Sequence, residues 1–394
     1  MKIALIRQRF TAWGGAENTL GYLAQEFVRQ GHEVTLLSAS WQGELPSRWH
    51  QHLANGRLRW LKVPVWAGKS GRALSFAVNT RRLLRQADFE VIYSLERTLY
   101  QDVYRAGDGC HREWLARRRP YISILQRLGI ALSPFHRLLL GLEKRLFQSE
   151  PLQLVIANSR QVKSEIERHY GMPSEKIRVI YNGIDRQRFS LEVVPARRSQ
   201  LNQELGLSAL VPTIVFVGSG FERKGLAFLI KALARLANAR VLLLVVGSGH
   251  YDPYQRLARK LGVASKVRFL GPQPQVERFY AAAAVVALPT IYDPCSNVVL
   301  EALACGRPVV TTAANGAAEF ITAGENGEIL TRPDDVPALA AALTQFLDRR
   351  EDHRIVEAAV NAVAGLSWER TAQETLAALT AVAAKTRSGS KNCC

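Results

Sequence analysis

The chain runs twice through the same opening: a short apolar strand, a glycine-containing loop, then an apolar-periodic helix. Lys2–Ile6 leads into Ala12–Gly15 and a helix through Glu26, and Thr213–Gly218 leads into a loop and the helix Leu226–Leu236. This alternation admits few folds, because parallel strands joined by helices must be covered on both faces. Gly31 ends the first helix, and Glu33–Leu37 reads as the next strand. Further strands are expected at Val91–Tyr93, Leu154–Ala157 and Arg178–Tyr181. In the second half they are expected at Val241–Val246, Val267–Leu270, Val285–Pro289 and Pro308–Thr311.

The reading is α/β, with two Rossmann-like, doubly wound parallel-sheet domains facing a central cleft. At 394 residues the chain is long for one core and suits two. The expected division is 1–188, 189–369, a helix over 370–385 returning to the first domain, and a disordered tail over 386–394. Residues 190–210 read as a polar linker. Ligands in such sheets sit at the carboxyl ends of the strands.

The richest segment is Asp293-Pro-Cys-Ser-Asn-Val-Val-Leu-Glu301, continuing to Gly306-Arg-Pro308. Ser296 is placed to cap a helix that Gly306 ends. The first-turn amides of Asn297 and Val298 and the helix dipole favour an anion, and a diphosphate is the natural guest. Glu301 shares the face of Asn297 and can accept from two neighbouring ribose hydroxyls; alone, it reads first as a solvated Glu on an ordinary helix. The second segment is Gly218-Ser-Gly-Phe-Glu-Arg223-Lys224-Gly225, after the first strand of the second half. Arg grips two oxygens and Lys supplies a point charge, which suits a pyrophosphate. The third, Trp13-Gly14-Gly15-Ala16-Glu17, lacks G-x-G-x-x-G spacing, which disfavours a dinucleotide there; it also fits a simple tight turn.

Taken in order, Gly14-Gly15-Ala16-Glu17, Ala157-Asn158-Ser159, Val179-to-Asp185, Arg223-Lys224-Gly225, Val267-to-Gly271 and Asp293-to-Glu301 resemble glycosyltransferase family 4 over residues 1–380. That family consists of retaining enzymes with the two-domain GT-B fold. The resemblance implies that Arg223 and Lys224 bind the donor diphosphate with the amides of Asn297 and Val298. It puts Glu301 on the ribose, Leu270 beside the base, and Gly15 close to the donor phosphates. Asp293 stands where the family carries Glu, one methylene shorter, in the position that serves the donor sugar. The family typically needs no metal, the chain has no Asp-x-Asp, and no cofactor is expected beyond a nucleotide-sugar substrate, UDP-glucose. Asp108-Gly-Cys-His111-Arg-Glu-Trp-Leu, with the Arg223 loop, looks closest to the lipopolysaccharide core glucosyltransferase I subgroup, whose acceptor is the inner-core heptose. Asp108 and His111 are then candidates for contacts at the reacting sugar. Asp108-Gly could also be a plain turn, and His111 a surface histidine.

Charge adds a partner. The net of +18 is lopsided, with 30 Lys/Arg against 16 Asp/Glu in residues 1–190 and 22 against 18 in the rest. Residues 112–147 carry Arg112, Arg117, Arg118, Arg119, Arg127, Arg137, Lys144 and Arg145 against Glu113 and Glu143. Apolar residues recur at helical spacing there, at Tyr121, Ile124, Leu125, Leu128 and Leu132, and again at Phe135, Leu138, Leu139, Leu142 and Leu146. An apolar stripe flanked by cations suits an anionic membrane surface, and Arg117, Arg118, Arg119 and Arg127 are the contacts expected. A helix packed on the core with a charged outer face has the same pattern. No aromatic RNA-binding signature accompanies the charge, so nucleic acid is not expected.

The longest apolar runs are too short to cross a bilayer, and the N-terminus opens on a strand rather than a signal peptide. The five cysteines lack zinc or disulfide spacing, and the terminal Cys393–Cys394 pair reads as a tail end. The expectation is a cytoplasmic, monomeric enzyme peripheral to the inner face of the membrane, moving a hexose to a membrane-embedded glycolipid. Two other readings stay open: a sugar-nucleotide epimerase on the same fold, and a membrane-binding protein with a degenerate nucleotide cleft.

Overall fold

The structure is a computed structural model that describes residues 1–11, 15–42, 49, 55–208, 210–237, 240–350 and 352–391. The chain divides into two compact units. One holds Met1–Gly183 and Trp368–Cys394, and the other Ile184–Ser367.

The strands of the first unit are β1 (Lys2–Ile6), β2 (Arg9–Thr11), β3 (Glu33–Ser38), β4 (Ser40–Gln42), β5 (Leu58–Lys62), β6 (Val91–Ser94), β7 (Val103–Ala106), β8 (Leu154–Ala157) and β9 (Ile177–Val179). Seven of them form one parallel sheet in the order β5-β3-β1-β6-β7-β8-β9, while β2 and β4 pair separately. The inner strands, Lys2 aside, are buried because helices cover both faces. On one face, Leu20, Leu23 and Phe27 of the helix Gly15–Arg29 share a core with Ala372, Leu376 and Leu379 of the helix Trp368–Lys391. Tyr22 stacks on Trp368 at 4.8 Å between ring centroids, and Thr371 Oγ1 donates to the Tyr181 carbonyl at 3.0 Å. This long helix occupies the place where a helix to 385 and a tail were expected. Cys393 and Cys394 lie outside the described residues.

The second unit carries β10 (Thr213–Val217), β11 (Leu242–Val246), β12 (Val267–Gly271), β13 (Val285–Leu288), β14 (Val309–Thr312) and β15 (Gly327–Leu330). They form a second parallel sheet in the order β12-β11-β10-β13-β14-β15. β10 and β11 are continuous apolar runs, Thr-Ile-Val-Phe-Val and Leu-Leu-Leu-Val-Val, buried at every position. The strand order reverses beside β10, between β11 and β13, and in such sheets the loops leaving the carboxyl ends there hold ligands.

A further expectation fails. Residues 190–210 are not a plain linker, for a one-turn helix Leu191–Val193 runs into the helix Val194–Leu205. That helix buries only Val194 and Leu201, so its apolar pattern is faint in sequence. Ion pairs fix it against the helix Glu277–Ala282: Arg197 to Glu277 at 2.6 Å and Arg278 to Glu204 at 2.6 Å.

Candidate donor site and comparison with known proteins

The loop after β10 is shaped by two glycines. Gly225 has φ +78°, and a Cβ there would lie 1.8 Å from the Pro289 carbonyl oxygen. This packs the loop onto the end of β13, where the Arg223 carbonyl accepts from the Ile291 amide and from Thr290 Oγ1, both at 2.8 Å. Gly218 has φ +134°, and the Lys224 side chain fills the space a Cβ would need.

So held, Arg223 and Lys224 converge on one carboxylate oxygen. Arg223 Nη1 lies 3.0 Å and Lys224 Nζ 3.4 Å from Asp293 Oδ2, and Arg223 also donates to the Tyr292 carbonyl at 2.8 Å. Lys224 and Asp293 are both buried, while Arg223 remains about one-third exposed. Burial pulls the Lys224 ammonium below its usual range, with Asp293 opposing. Burial pushes the Asp293 carboxyl up, but Lys224 and Arg223 outweigh it and hold it below the usual range. Asp293 therefore fixes the two cations, a pairing that its place in the motif did not indicate.

The backbone of this segment is pinned to its neighbour. The Asp293 amide donates to the Ala314 carbonyl at 2.9 Å, and the Gly316 amide returns a bond of 2.9 Å to the Asp293 carbonyl. Four residues on from Asp293, the helix Asn297–Ala304 starts, with Asn297 and Val298 in its first turn. Amides there find no i−4 carbonyl within the helix and carry its positive dipole end. Ser296 is the N-cap by position, but its hydroxyl makes no capping bond. One turn into the helix, Glu301 accepts from the buried Tyr280 hydroxyl at 2.9 Å. Burial raises the Glu301 carboxyl to about 7, with Glu277 adding to the rise and Tyr280, Arg188 and Lys224 opposing it. Leu270 sits half-buried at the end of β12, its carbonyl taking Gln273 Nε2 at 2.8 Å.

The other candidates belong to the first unit. Gly15 opens the helix Gly15–Arg29, and Gly14 lies outside the described residues. Asp108 follows β7 and pairs with Arg7 at 2.9 Å. His111 opens the helix His111–Arg118, its ring half-buried and its Nε2 3.0 Å from His136 Nδ1. Burial, with Arg97 and His136, lowers His111 to about 4 against the opposing pull of Glu143, so it is neutral near pH 7.

Glu143 is a residue that sequence reasoning passed over as one acid in a basic run. It is buried, and it accepts from the His111 amide at 2.7 Å, the Arg112 amide at 3.1 Å, Arg97 Nε at 3.0 Å and the Tyr170 hydroxyl at 2.5 Å. It thus caps the helix that carries His111. Its place beside Leu142 and one turn before Leu146 and Phe147, all buried, was the available sign. Tyr280 was also missed.

The basic region separates into two helices with opposite fates. The helix Pro134–Phe147 buries Leu142 and Leu146. The helix Ile124–Leu132 buries none of its residues, and Ile124, Leu125, Leu128 and Leu132 are 55–80% exposed. It is nonetheless well formed, since Ser123 and Gln126 make a reciprocal capping box. The cations also differ. Arg117 is bound to Glu113 at 2.6 Å and Arg118 lies over Trp114, whereas Arg119 is exposed and Arg127 half-buried. No helix among the described residues is long and apolar enough to cross a membrane.

Comparison with known proteins matches both units. The model described as Glycosyltransferase Family 4 covers residues 13–188, and that described as Glycosyl transferases group 1 covers residues 211–349. The lipopolysaccharide glucosyltransferase WaaG of Escherichia coli (strain K12) is 27% identical over 352 residues, spanning 88% of this chain and 90% of the relative. The crystal structure of WaaG, a glycosyltransferase involved in lipopolysaccharide biosynthesis, superposes with a TM-score of 0.83 at 25% identity, over 96% of this chain and 99% of that one. The fold alone is shared with Anabaena Alr3699/HepE in complex with UDP-glucose, at a TM-score of 0.71 and 22% identity over 97% of this chain and 100% of that one. With two parallel Rossmann-like units and a matching model on each, the chain belongs to glycosyltransferase family 4 and has its GT-B architecture.

Proposed function

We propose that this chain moves a hexose, glucose from UDP-glucose, with retention of anomeric configuration, onto a lipopolysaccharide inner-core heptose or a related membrane glycolipid. The observation that carries this reading is the convergence of Arg223 and Lys224 on Asp293, four residues ahead of a helix start. The likeness to the Escherichia coli lipopolysaccharide glucosyltransferase supports the donor and acceptor class.

As the glycosidic bond breaks, negative charge collects on the departing phosphate oxygen. Arg223, Lys224 and the first-turn amides of Asn297 and Val298 are fixed before the reaction, so they need no reorganisation to stabilise it. These groups take the place of a metal ion in neutralising the leaving group. Glu301 holds the ribose hydroxyls and Leu270 lies beside the base. Asp108 and His111 serve the reacting sugar, His111 as a neutral hydrogen-bonding imidazole. The departing phosphate takes the acceptor proton.

The acceptor side rests on the helix Ile124–Leu132. Four large apolar side chains on one fully unburied, capped helix suit insertion into a lipid interface, with Arg119 and Arg127 toward anionic headgroups. The enzyme then works as a monomer at the cytoplasmic face of the membrane.

A transfer assay tests the reading. Incubation with UDP-, GDP- and ADP-sugars and a heptose-bearing glycolipid should give product from UDP-glucose, with the donor's anomeric configuration retained. An inverted product, or an epimerised sugar nucleotide with no transfer, would contradict it.

A further inference from the structure

Ser296 is at the N-cap of the helix Asn297–Ala304, with φ −72° and ψ 115°, yet its hydroxyl makes no capping bond. The residue is 3% exposed, and Oγ has no hydrogen-bond partner among the described residues. Serine at this position ordinarily accepts from an amide of the first turn. Here the Val299 amide goes instead to the Ser296 carbonyl at 3.1 Å. A buried hydroxyl left unpaired costs about 1–3 kcal/mol, and native proteins keep few.

The backbone of Ser296 is fixed independently of its hydroxyl. Its amide donates to Asn315 Oδ1 at 3.2 Å, and the same oxygen accepts from the Ala317 amide at 3.1 Å. Asn315 is itself held through Nδ2 to Thr311 Oγ1 at 3.1 Å. A polar atom is thus held at the positive end of a helix, three residues from the carboxylate where Arg223 and Lys224 meet.

We infer that the Ser296 hydroxyl donates a hydrogen bond to a phosphate oxygen of a nucleoside diphosphate. It would add a side-chain donor to the amides of the first turn. This rests on the donor-site reading above. An O–H is the one donor in this position that can turn toward an anion, and bonds to charged oxygens are the stronger kind.

Titration calorimetry of the full chain with UDP and with uridine tests this. Ser296→Ala, and separately Ser296→Gly, which an N-cap tolerates, should each weaken UDP binding about tenfold. Uridine binding should be unchanged, and the melting temperature of the free protein should not fall. Unchanged UDP affinity in both variants overturns the assignment. So does an equal loss for UDP and uridine, which would place the hydroxyl on the nucleoside. A lower melting temperature in both variants with UDP affinity unaltered would make Ser296 purely structural. If the wild-type protein binds UDP and Glu301→Ala weakens it while the Ser296 variants do not, the Ser296 role fails and the donor site stands. If the wild type binds no UDP, both fail together.

Discussion

The side chain of Lys224 occupies the space beside Gly218 where any other residue would carry its Cβ; that atom would lie 2.6 Å from Lys224 Cε and 3.0 Å from Nζ. The strand end and the cation are therefore built for each other, and the ammonium reaches Asp293 because position 218 has no side chain. Gly218→Ala should displace Lys224, since φ is also +134° there. Turnover should fall at least tenfold, as for a lost transition-state donor, while circular dichroism stays native-like. Wild-type turnover would mean that Lys224 need not occupy this position.

On the proposed donor reading, Glu301 makes binding depend on pH. Its carboxyl is raised to about 7, first by burial, so the free protein must lose a proton before ribose hydroxyls can donate to a carboxylate. Affinity for UDP-glucose, whose phosphates do not titrate near neutrality, should rise between pH 6 and pH 8 and level off above. The limiting slope below pH 7 is about tenfold per pH unit. Glu301→Gln should bind weakly with a flat profile. For folding the sign is opposite: the folded state holds this proton more tightly than the unfolded state. The contribution of Glu301 to stability therefore declines as pH rises from its unfolded value to about 7 and stays low above. Free Glu301→Gln should gain thermal stability over wild type across that same window.

Glu143 is a structural keystone of the first unit, as Arg97, two amides and Tyr170 all donate to it. Burial pushes its carboxyl up, but Arg97 and these bonds outweigh burial and hold it below the usual range. Glu143→Ala leaves Arg97 buried without its acid, which should cost about 3–5 kcal/mol in urea unfolding. A loss below about 1 kcal/mol would show that the ion pair is replaceable.

The exposed helix gives a test in lipid. Leu125→Asp with Leu128→Asp should greatly weaken co-sedimentation with vesicles containing anionic phospholipid, without loss of stability, because neither residue is buried. Arg119→Glu with Arg127→Glu should weaken it mainly at low salt. Arg117 is unsuited to this test, since it pairs with Glu113. Undiminished binding in the Leu125/Leu128 variant would remove this helix from the membrane contact.

The architecture was legible where strands are buried on both faces. β1 and β8 match their expected spans, and β10, β11 and β13 differ by a residue at one end. It was not legible in β5, Leu-Arg-Trp-Leu-Lys, an edge strand exposed beyond Leu58, nor in β7, where the buried Arg105 interrupts the apolar run. Arg105 is held by Asn182 Oδ1 at 2.7 Å, a partner far away in sequence. The cations and the helix start could be read from local spacing. What joins them could not. That Asp293 receives both Arg223 and Lys224, that Tyr280 orients Glu301, and that Glu143 caps the His111 helix all depend on tertiary contacts. The apolar stripe at 121–146 showed amphipathic helices without showing which one faces the core.

The most direct measurement is the turnover of Arg223→Ala with UDP-glucose and a glycolipid acceptor at saturating donor. The account predicts a fall in kcat of about 10²–10³ with native-like circular dichroism, because the guanidinium stabilises charge that appears only as the phosphate departs. A kcat within a few-fold of wild type would contradict it.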